Sequence, residues 1–89
     1  MNTAEHEYPR IVTVDVTDQW IAAVFSDGRQ ISLPLAWSWR LERATPAQRG
    51  RWELIGGGEG VRWPEIDEDL SARGFFVGRP ASRPRARSS

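Results

Sequence analysis

The sequence predicts a small α+β domain, in which an antiparallel β-meander and one further short strand pack with two short helices. Apolar and polar residues alternate along much of residues 10–35, as they do in strands with one buried face. A helix-capping motif begins at Thr45, and the run of acids that follows a short β-rich segment at 60–63 suits a second helix. We therefore expect helices near 46–53 and 67–73, on either side of that strand.

The composition indicates one folded domain, since 39% of the 89 residues are hydrophobic and 27% are charged. We expect a flexible leader (1–9), a single domain (10–78) and a disordered Arg/Pro/Ser-rich tail (79–89). The absence of cysteine excludes disulfides, thiolate metal sites and cysteine nucleophiles. No apolar run reaches the ~20 residues of a membrane span, and no signal-peptide pattern is present. We therefore expect a bacterial cytoplasmic protein without membrane association.

The predicted meander consists of strands 11–16, 20–26 and 29–35. In the first strand, Val12, Val14 and Val16 are expected on one face. The second strand is apolar on both faces, which indicates a central strand. The dipeptide Asp27-Gly28 is typical of a type I′ turn, which requires positive φ at both positions. These features predict a hairpin-connected antiparallel sheet.

The segment between the meander and Thr45 has two interpretations. Residues 36–44 continue the strand alternation but also suit a short helical turn, and we favour a turn or irregular segment. Thr45 is expected to cap the next helix, with Pro46 at the first helical position and Gln48 completing a capping box. This helix is expected to stop before Gly56.

The second helix is expected to begin at Asp67 or a neighbouring residue, because acids are favourable at the positive end of a helix dipole, and to stop at Gly74. Asp67 is the favoured capping residue. Trp20, Trp52 and Trp63 fit core positions, where each tryptophan buries ~150–250 Å². The tryptophans are therefore expected to supply much of a small core.

The glycine cluster Gly56–Gly60 also has two interpretations. Backbone N–H groups in such a loop hold phosphate in some proteins, but a phosphate loop usually supplies a lysine and a hydroxyl as well. The chain has no lysine, and Glu59 inside the cluster would repel phosphate. A tight turn between a helix and a strand is the favoured interpretation, and no cofactor is expected.

Candidate catalytic groups are few. His6 is the only histidine, and it lies in the predicted leader, where nothing would hold it as a general base. The acids Glu65, Asp67, Glu68 and Asp69 could supply oxygen ligands to a hard metal ion, but they also suit the start of a helix. We favour the helix start. A metal-dependent enzyme built on Asp67, Glu68 and Asp69 is the weakest of three hypotheses, and no catalytic or metal-binding residue is assigned.

The tail arginines Arg79, Arg83, Arg85 and Arg87 have no acid among them. Arginines can neutralise nucleic-acid phosphates, although this tail has no aromatic residue to stack on bases. A solubilising tail is the alternative interpretation.

Two tryptophans and two arginines lie together in the ambiguous segment, namely Trp37, Trp39, Arg40 and Arg43. Tryptophan and arginine are enriched in interface hot spots, so these residues form a candidate partner-binding patch. The same tryptophans would also complete a small core, and the sequence favours neither alternative. The acidic edge from Glu65 to Asp69 is the second candidate contact.

The ordered pattern resembles a family of small bacterial proteins, domain of unknown function 2442, along residues 10–82. The stretches that carry the resemblance are the hairpin Phe25–Arg29, the capped helix from Leu41 to Trp52, the signature Gly56–Ser71, Gly74, and the ending Gly78–Ser82. The Trp-Pro-x-Ile-Asp-Glu-Asp part of the signature is quite specific. Trp39 is a departure, because relatives often place a proline before the Arg-Leu pair.

The resemblance implies a small α+β fold with no established catalytic residues. Similar domains occur fused to a helix-turn-helix DNA-binding domain, or are encoded beside a second small protein in arrangements that look like toxin–antitoxin pairs. We expect no second domain in this chain, and hence no DNA binding of the fused kind. The toxin–antitoxin association would make it the neutralising half of such a pair.

Together, these observations predict a non-enzymatic protein-interaction module, of antitoxin-like or regulatory type, whose partner is another small bacterial protein. A nucleic-acid-associated accessory protein that uses the tail arginines is the alternative hypothesis. An exposed edge strand of the meander would also allow two copies to pair as a homodimer.

Overall fold

The computed structural model describes residues 8–78 and folds them into two three-stranded antiparallel sheets with three short helices, which confirms the predicted α+β class. The strands are β1 (Ile11–Val16), β2 (Trp20–Phe25), β3 (Gln30–Pro34), β4 (Glu53–Ile55), β5 (Gly60–Trp63) and β6 (Glu68–Ser71). The helices are α1 (Trp39–Arg43), α2 (Pro46–Arg49) and α3 (Ala72–Val77), and single 3-10 turns span Leu35–Trp37 and Pro64–Ile66.

The first sheet has the order β1-β2-β3, so that β2 is the central strand, as predicted. Its inner face is fully buried at Ile21, Ala23 and Phe25, whereas Trp20 lies on the opposite face and is 47% exposed. The prediction that Trp20 is a core residue is therefore wrong, because strand alternation assigns it to the solvent side.

A β-bulge changes the expected face of one residue in β1. The pairing with β2 shifts register between Ile11 and Thr13, so that both Ile11 and Val14 point into the core. A bulge adds a residue without a partner and reverses the alternation locally. Val12 is consequently 54% exposed, and the prediction that it shares a face with Val14 and Val16 is wrong.

The hairpin between β2 and β3 is present, but its turn is not type I′. Gly28 has a φ of 91°, whereas Asp27 has no positive φ. The N–H of Phe25 donates to the Arg29 carbonyl and the N–H of Gly28 donates to the Phe25 carbonyl, both at 2.8 Å. This pattern fits a three-residue loop in which a single glycine takes the left-handed position.

The segment 36–44 forms a 3-10 turn and then helix α1, so the helical interpretation holds rather than the irregular one. The capping box of Thr45 and Gln48 is confirmed, with Pro46 at the start of α2. The predicted helix 46–53 is too long, because α2 ends at Arg49 and Glu53 already belongs to β4.

The predicted helix 67–73 is wrong. Asp67 does not cap a helix but ends the second 3-10 turn in a left-handed conformation with φ of 55°, and the next four residues form β6. The helix starts later, at Ala72, where the Ser71 hydroxyl accepts the Gly74 N–H. Gly74 therefore lies inside α3, and the helix ends at Gly78 in a left-handed cap.

One hydrophobic core joins the two sheets. Phe25 of the first sheet packs edge-to-face on Phe75 of α3, with ring centroids 5.8 Å apart. Val61 and Trp63 of the second sheet belong to the same cluster and are completely buried. Trp63 is thus a core residue as predicted, and Trp52 packs half-buried against the cluster.

The glycine turn between β4 and β5 is the place where the second sheet meets the first. The N–H of Ile11 donates to the Gly58 carbonyl at 2.8 Å, and the Arg10 guanidinium donates to the Gly56 and Gly57 carbonyls. Gly58 has a φ of 113°, and a Cβ there would lie 2.6 Å from the Ile11 carbonyl oxygen. The turn joins two strands rather than a helix and a strand, and its carbonyls accept hydrogen bonds from Arg10 and from Ile11 at the start of β1.

Candidate interaction surface

Helix α1 places a tryptophan and two arginines beside one another. The guanidinium carbon of Arg40 lies 4.4 Å from the centroid of the Trp39 ring, and that of Arg43 lies 5.6 Å away. Both distances are within the range in which a cation is attracted to an aromatic ring. The predicted cluster of Trp39, Arg40 and Arg43 is therefore a contiguous surface.

An open cleft of about 230 Å³ lies next to this cluster. We call it the α1 cleft; its lining consists of Trp39, Arg40, Arg43, Ala44, Gln48 and Ile66. Ile66 comes from the second 3-10 turn, so the cleft unites α1 and α2 with the Trp-Pro-x-Ile part of the glycine-rich signature. The lining combines aromatic, aliphatic and cationic groups and contains no acidic side chain.

Buried polar contacts hold the N-terminal end of α1. The Ser38 hydroxyl accepts the Leu41 N–H at 3.2 Å and donates to Oε2 of Glu68 at 2.5 Å. Ser38 is 1% exposed and Glu68 is 6% exposed. The other carboxylate oxygen of Glu68 accepts the Asp69 N–H at 3.0 Å and lies 3.9 Å from the Arg40 guanidinium. Glu68 thereby ties α1 to β6.

Arg49 holds the C-terminal end of the same helix. Its guanidinium donates to the Leu41 carbonyl at 3.0 Å and to the Glu42 carbonyl at 3.2 Å, near the C-terminal end of α1. The Leu41 carbonyl also accepts the N–H of the capping residue Ala44 at 3.2 Å. It also pairs with the exposed Asp18 carboxylate at 2.9 Å. The Arg49 carbonyl accepts the indole N–H of buried Trp63, which anchors the arrangement in the core.

Within residues 8–78, the polar or charged side chains that are buried are Ser38, Arg49 and Glu68, and all three contact an end of α1 or the residue that caps it. A helix of five residues has little stability by itself, because nucleation is costly. Burying charged groups also costs free energy unless they are paired. The domain therefore uses its buried polar groups to hold α1 in place.

The other predicted contact residues are not brought together in the same way. Trp37 packs half-buried against the core and does not line the α1 cleft. Glu65 pairs with Arg51 at 2.8 Å, and Asp69 lies on β6 opposite Arg62. Since Glu68 is buried while Asp67 is exposed, these four acids do not form one continuous edge.

No group of three or more His, Asp or Glu side chains between residues 8 and 78 is placed to hold a metal ion. His6 and the arginines Arg79, Arg83, Arg85 and Arg87 lie outside the described residues. None of the helices within 8–78 has the length and apolar character needed to cross a bilayer.

Sequence reasoning missed Ser38 and Arg49. Ser38 had a local signal, since a serine directly before a helix-compatible segment is a common N-cap. Arg49 had none, because its acceptors lie on an earlier helix and on the turn between β1 and β2.

The fold and this surface define a small α+β domain built from two antiparallel sheets around one core. The family model for "Protein of unknown function (DUF2442)" matches residues 11–81. The chain belongs to this family, as the resemblance predicted.

Two solved structures are similar to this chain. A protein of unknown function from Rhodospirillum rubrum has 25% identity and a TM-score of 0.71, over 86% of this chain and 95% of that one. An uncharacterised protein from Chromobacterium violaceum, solved by NMR in solution, has 24% identity and a TM-score of 0.74, over 90% of this chain and 75% of that one. Both likenesses support the fold. No curated protein matches the chain significantly.

Proposed function

We propose that this protein is a non-enzymatic interaction module that binds another small bacterial protein through the α1 cleft. The observation that carries the proposal is that the three buried polar side chains Ser38, Arg49 and Glu68 all hold α1. The family resemblance suggests an antitoxin-like or regulatory role for such a module.

The chemistry of the α1 cleft supports binding rather than catalysis. Its side chains are an indole, two guanidinium groups, a primary amide and two aliphatic groups. None of these exchanges a proton near neutral pH, whereas indole and guanidinium groups supply much of the binding energy at protein interfaces. We therefore assign the cleft to partner recognition.

The way in which α1 is held supports the same assignment. A surface that is already ordered before binding loses less conformational entropy when the partner docks. Ser38 and Glu68 fix one end of α1 and Arg49 fixes the other, so Trp39 and Arg43 are presented from a fixed backbone. Burying charged side chains to hold α1 costs free energy. This cost supports a functional role for the residues that α1 presents, Trp39 and Arg43.

The experiment is an affinity purification of the tagged full-length chain from its native cell extract, after nuclease treatment, followed by calorimetry with the purified partner. We expect a stoichiometric partner whose affinity falls at least about tenfold, or ~1.4 kcal/mol, with Trp39→Ala and with Arg43→Glu. Arg73→Glu is the matched control, because Arg73 is an exposed arginine of α3 outside the cleft.

The control should bind like the wild-type protein, and circular dichroism should show that every variant is folded. A partner that binds all three variants equally well would place the interface elsewhere and contradict the proposal. The absence of any protein partner after nuclease treatment would also contradict it.

A further inference from the structure

We infer that the occupant of the α1 cleft is an acidic peptide segment of the partner, which places a carboxylate on the cleft arginines and an aliphatic side chain against Ile66 and Ala44. This inference rests on the proposed function and adds the chemical class of the ligand. It follows from the charges of the lining, from the arrangement of the arginines on Trp39, and from the contrast with a second cleft nearby.

The charge of the α1 cleft is not balanced within its lining. Two guanidinium groups line it, and no carboxylate does. Glu68 lies 3.9 Å from Arg40 but is 6% exposed, and its oxygens already accept hydrogen bonds from Ser38 and from the Asp69 N–H. Arg43 is exposed and forms no ion pair with another residue of the described range 8–78. The charge complementary to this surface is therefore negative, and in a peptide segment it would be that of a carboxylate.

The position of the arginines on Trp39 favours a carboxylate over a nucleic-acid base. A guanidinium that sits over an aromatic ring keeps its N–H donors for an acceptor, and its planar fork matches a carboxylate. A base that stacked on Trp39 would have to compete with Arg40, whose guanidinium carbon is 4.4 Å from the ring centroid. The aliphatic wall formed by Ile66 and Ala44 offers contact to a side chain next to the carboxylate.

A second cleft, of about 270 Å³, differs from the α1 cleft in the charge of its lining. We call it the Trp52 cleft; its lining consists of Arg51, Trp52, Glu53, Pro64 and Glu65. It also combines a tryptophan with an arginine, but Arg51 is paired with Glu65 at 2.8 Å. Because Arg51 is already paired and the two glutamates give the lining a net negative charge, the Trp52 cleft should not select an acidic segment. Arg51 is therefore a matched control for Arg43.

The test is a titration of the ¹⁵N-labelled full-length protein, followed by NMR, with a capped Glu-Leu-Glu-Asp peptide. We expect saturable chemical-shift changes of the Trp39 indole N–H and the Arg43 Nε–H. The affinity measured from these changes should fall with added salt. The amide counterpart Gln-Leu-Gln-Asn should bind at least about tenfold more weakly, since charge-assisted hydrogen bonds are the stronger ones. Arg43→Gln should weaken binding of the acidic peptide by a similar factor, whereas Arg51→Gln should not change it.

Equal binding of the acidic and amide peptides, or no shift of the Trp39 and Arg43 signals, would overturn the inference. An oligo-dT strand that shifts the same two signals and binds more tightly than the acidic peptide would also overturn the inference, because the cleft would then prefer phosphate. The two proposals fail separately. A native partner that depends on Trp39 while the acidic peptide does not bind would leave the proposed function standing and reject only the acidic class.

Discussion

The acidic side chain of Glu68 is buried in the domain, and each of its two carboxylate oxygens has a hydrogen-bond partner. Oε2 accepts the Ser38 hydroxyl, and Oε1 accepts the Asp69 N–H and faces Arg40. A buried carboxylate without such partners would be strongly unfavourable. Ser38 has a second task, because its hydroxyl also caps the first turn of α1 through the Leu41 N–H. One hydroxyl therefore supports both a strand and a helix.

We predict that Ser38→Ala lowers the free energy of unfolding by ~1–3 kcal/mol, because it removes an N-cap and leaves a buried carboxylate oxygen without its donor. Urea denaturation followed by tryptophan fluorescence measures this change. Ser32→Ala is the control, since Ser32 is an exposed residue of β3 and a surface substitution of this kind changes stability by no more than about 0.5 kcal/mol. Equal stability of the two variants would contradict the role assigned to Ser38.

The residue scale also explains which site residues the sequence could predict. Trp39, Arg40 and Arg43 are close in sequence and of types that occur at interfaces, so their cluster is visible in the sequence and present in the structure. The burial of Glu68 depends on Ser38, which is 30 positions away, and no local pattern contains that information. Without that information, the acidic run around Glu68 predicted the start of a helix, and this prediction is wrong.

At the scale of elements, the hairpin between β2 and β3 is stabilised by the carboxylate of Asp27 in its turn. The Asp27 carboxylate accepts the backbone N–H of Arg29 at 3.1 Å and its Nε–H at 2.9 Å. The backbone N–H of Arg29, and then its guanidinium, hold the pKa of Asp27 below its ordinary value. The carboxylate therefore favours the turn only while it is ionised.

We predict that this contribution depends on pH in a definite direction. The pKa is lower in the folded state, so the stabilisation is complete above the ordinary aspartate pKa of about 3.9 and is lost as the pH falls through the folded-state pKa. Asp27→Asn should therefore unfold at a lower urea concentration than the wild-type protein at neutral pH, and the difference should shrink in acid. A difference in midpoint that stays constant from neutral to acidic pH would contradict this account.

The elements that sequence reasoning recovered are those with a strong local signal. The three strands of the first sheet have alternation and a turn dipeptide, and the start of α2 has a complete capping box. Strand β4 has three exposed residues with no alternation to reveal it. Strand β6 was mistaken for a helix because its acids suit a helix dipole, but they pair with β5 and leave Asp67 to make the turn.

At the scale of the whole molecule, the two sheets share one core and meet at the glycine turn. Gly58 lies against Arg10 and Ile11 at the start of β1, where a side chain would contact backbone. Trp63 of the second sheet and Ile21 of the first belong to the same buried cluster. Neither sheet therefore has a core of its own, and we expect them to unfold together.

We predict that Gly58→Ala destabilises the protein by roughly 2–4 kcal/mol, because it combines a strained positive φ with overlap against the Ile11 carbonyl. Gly28→Ala is the control, since its φ is also positive but its Cβ would meet no atom within 4 Å, and it should cost only ~1–2 kcal/mol. Urea unfolding measured by far-UV circular dichroism and by tryptophan fluorescence should give coincident transitions for each variant. Separate transitions, or equal losses for the two variants, would contradict a single unit joined at Gly58.

The stacking of Tyr8 on Phe76, with ring centroids 5.1 Å apart, brings the start of the described domain next to α3, which ends at Gly78. The first described residue, Tyr8, therefore contacts the helix that ends at the last described residue, Gly78. Domains whose entry and exit points are adjacent tolerate insertion into the loop of a host protein, because the host loop need not be spread apart. The contact between Tyr8 and α3 therefore suits insertion of the segment 8–78 into a larger polypeptide.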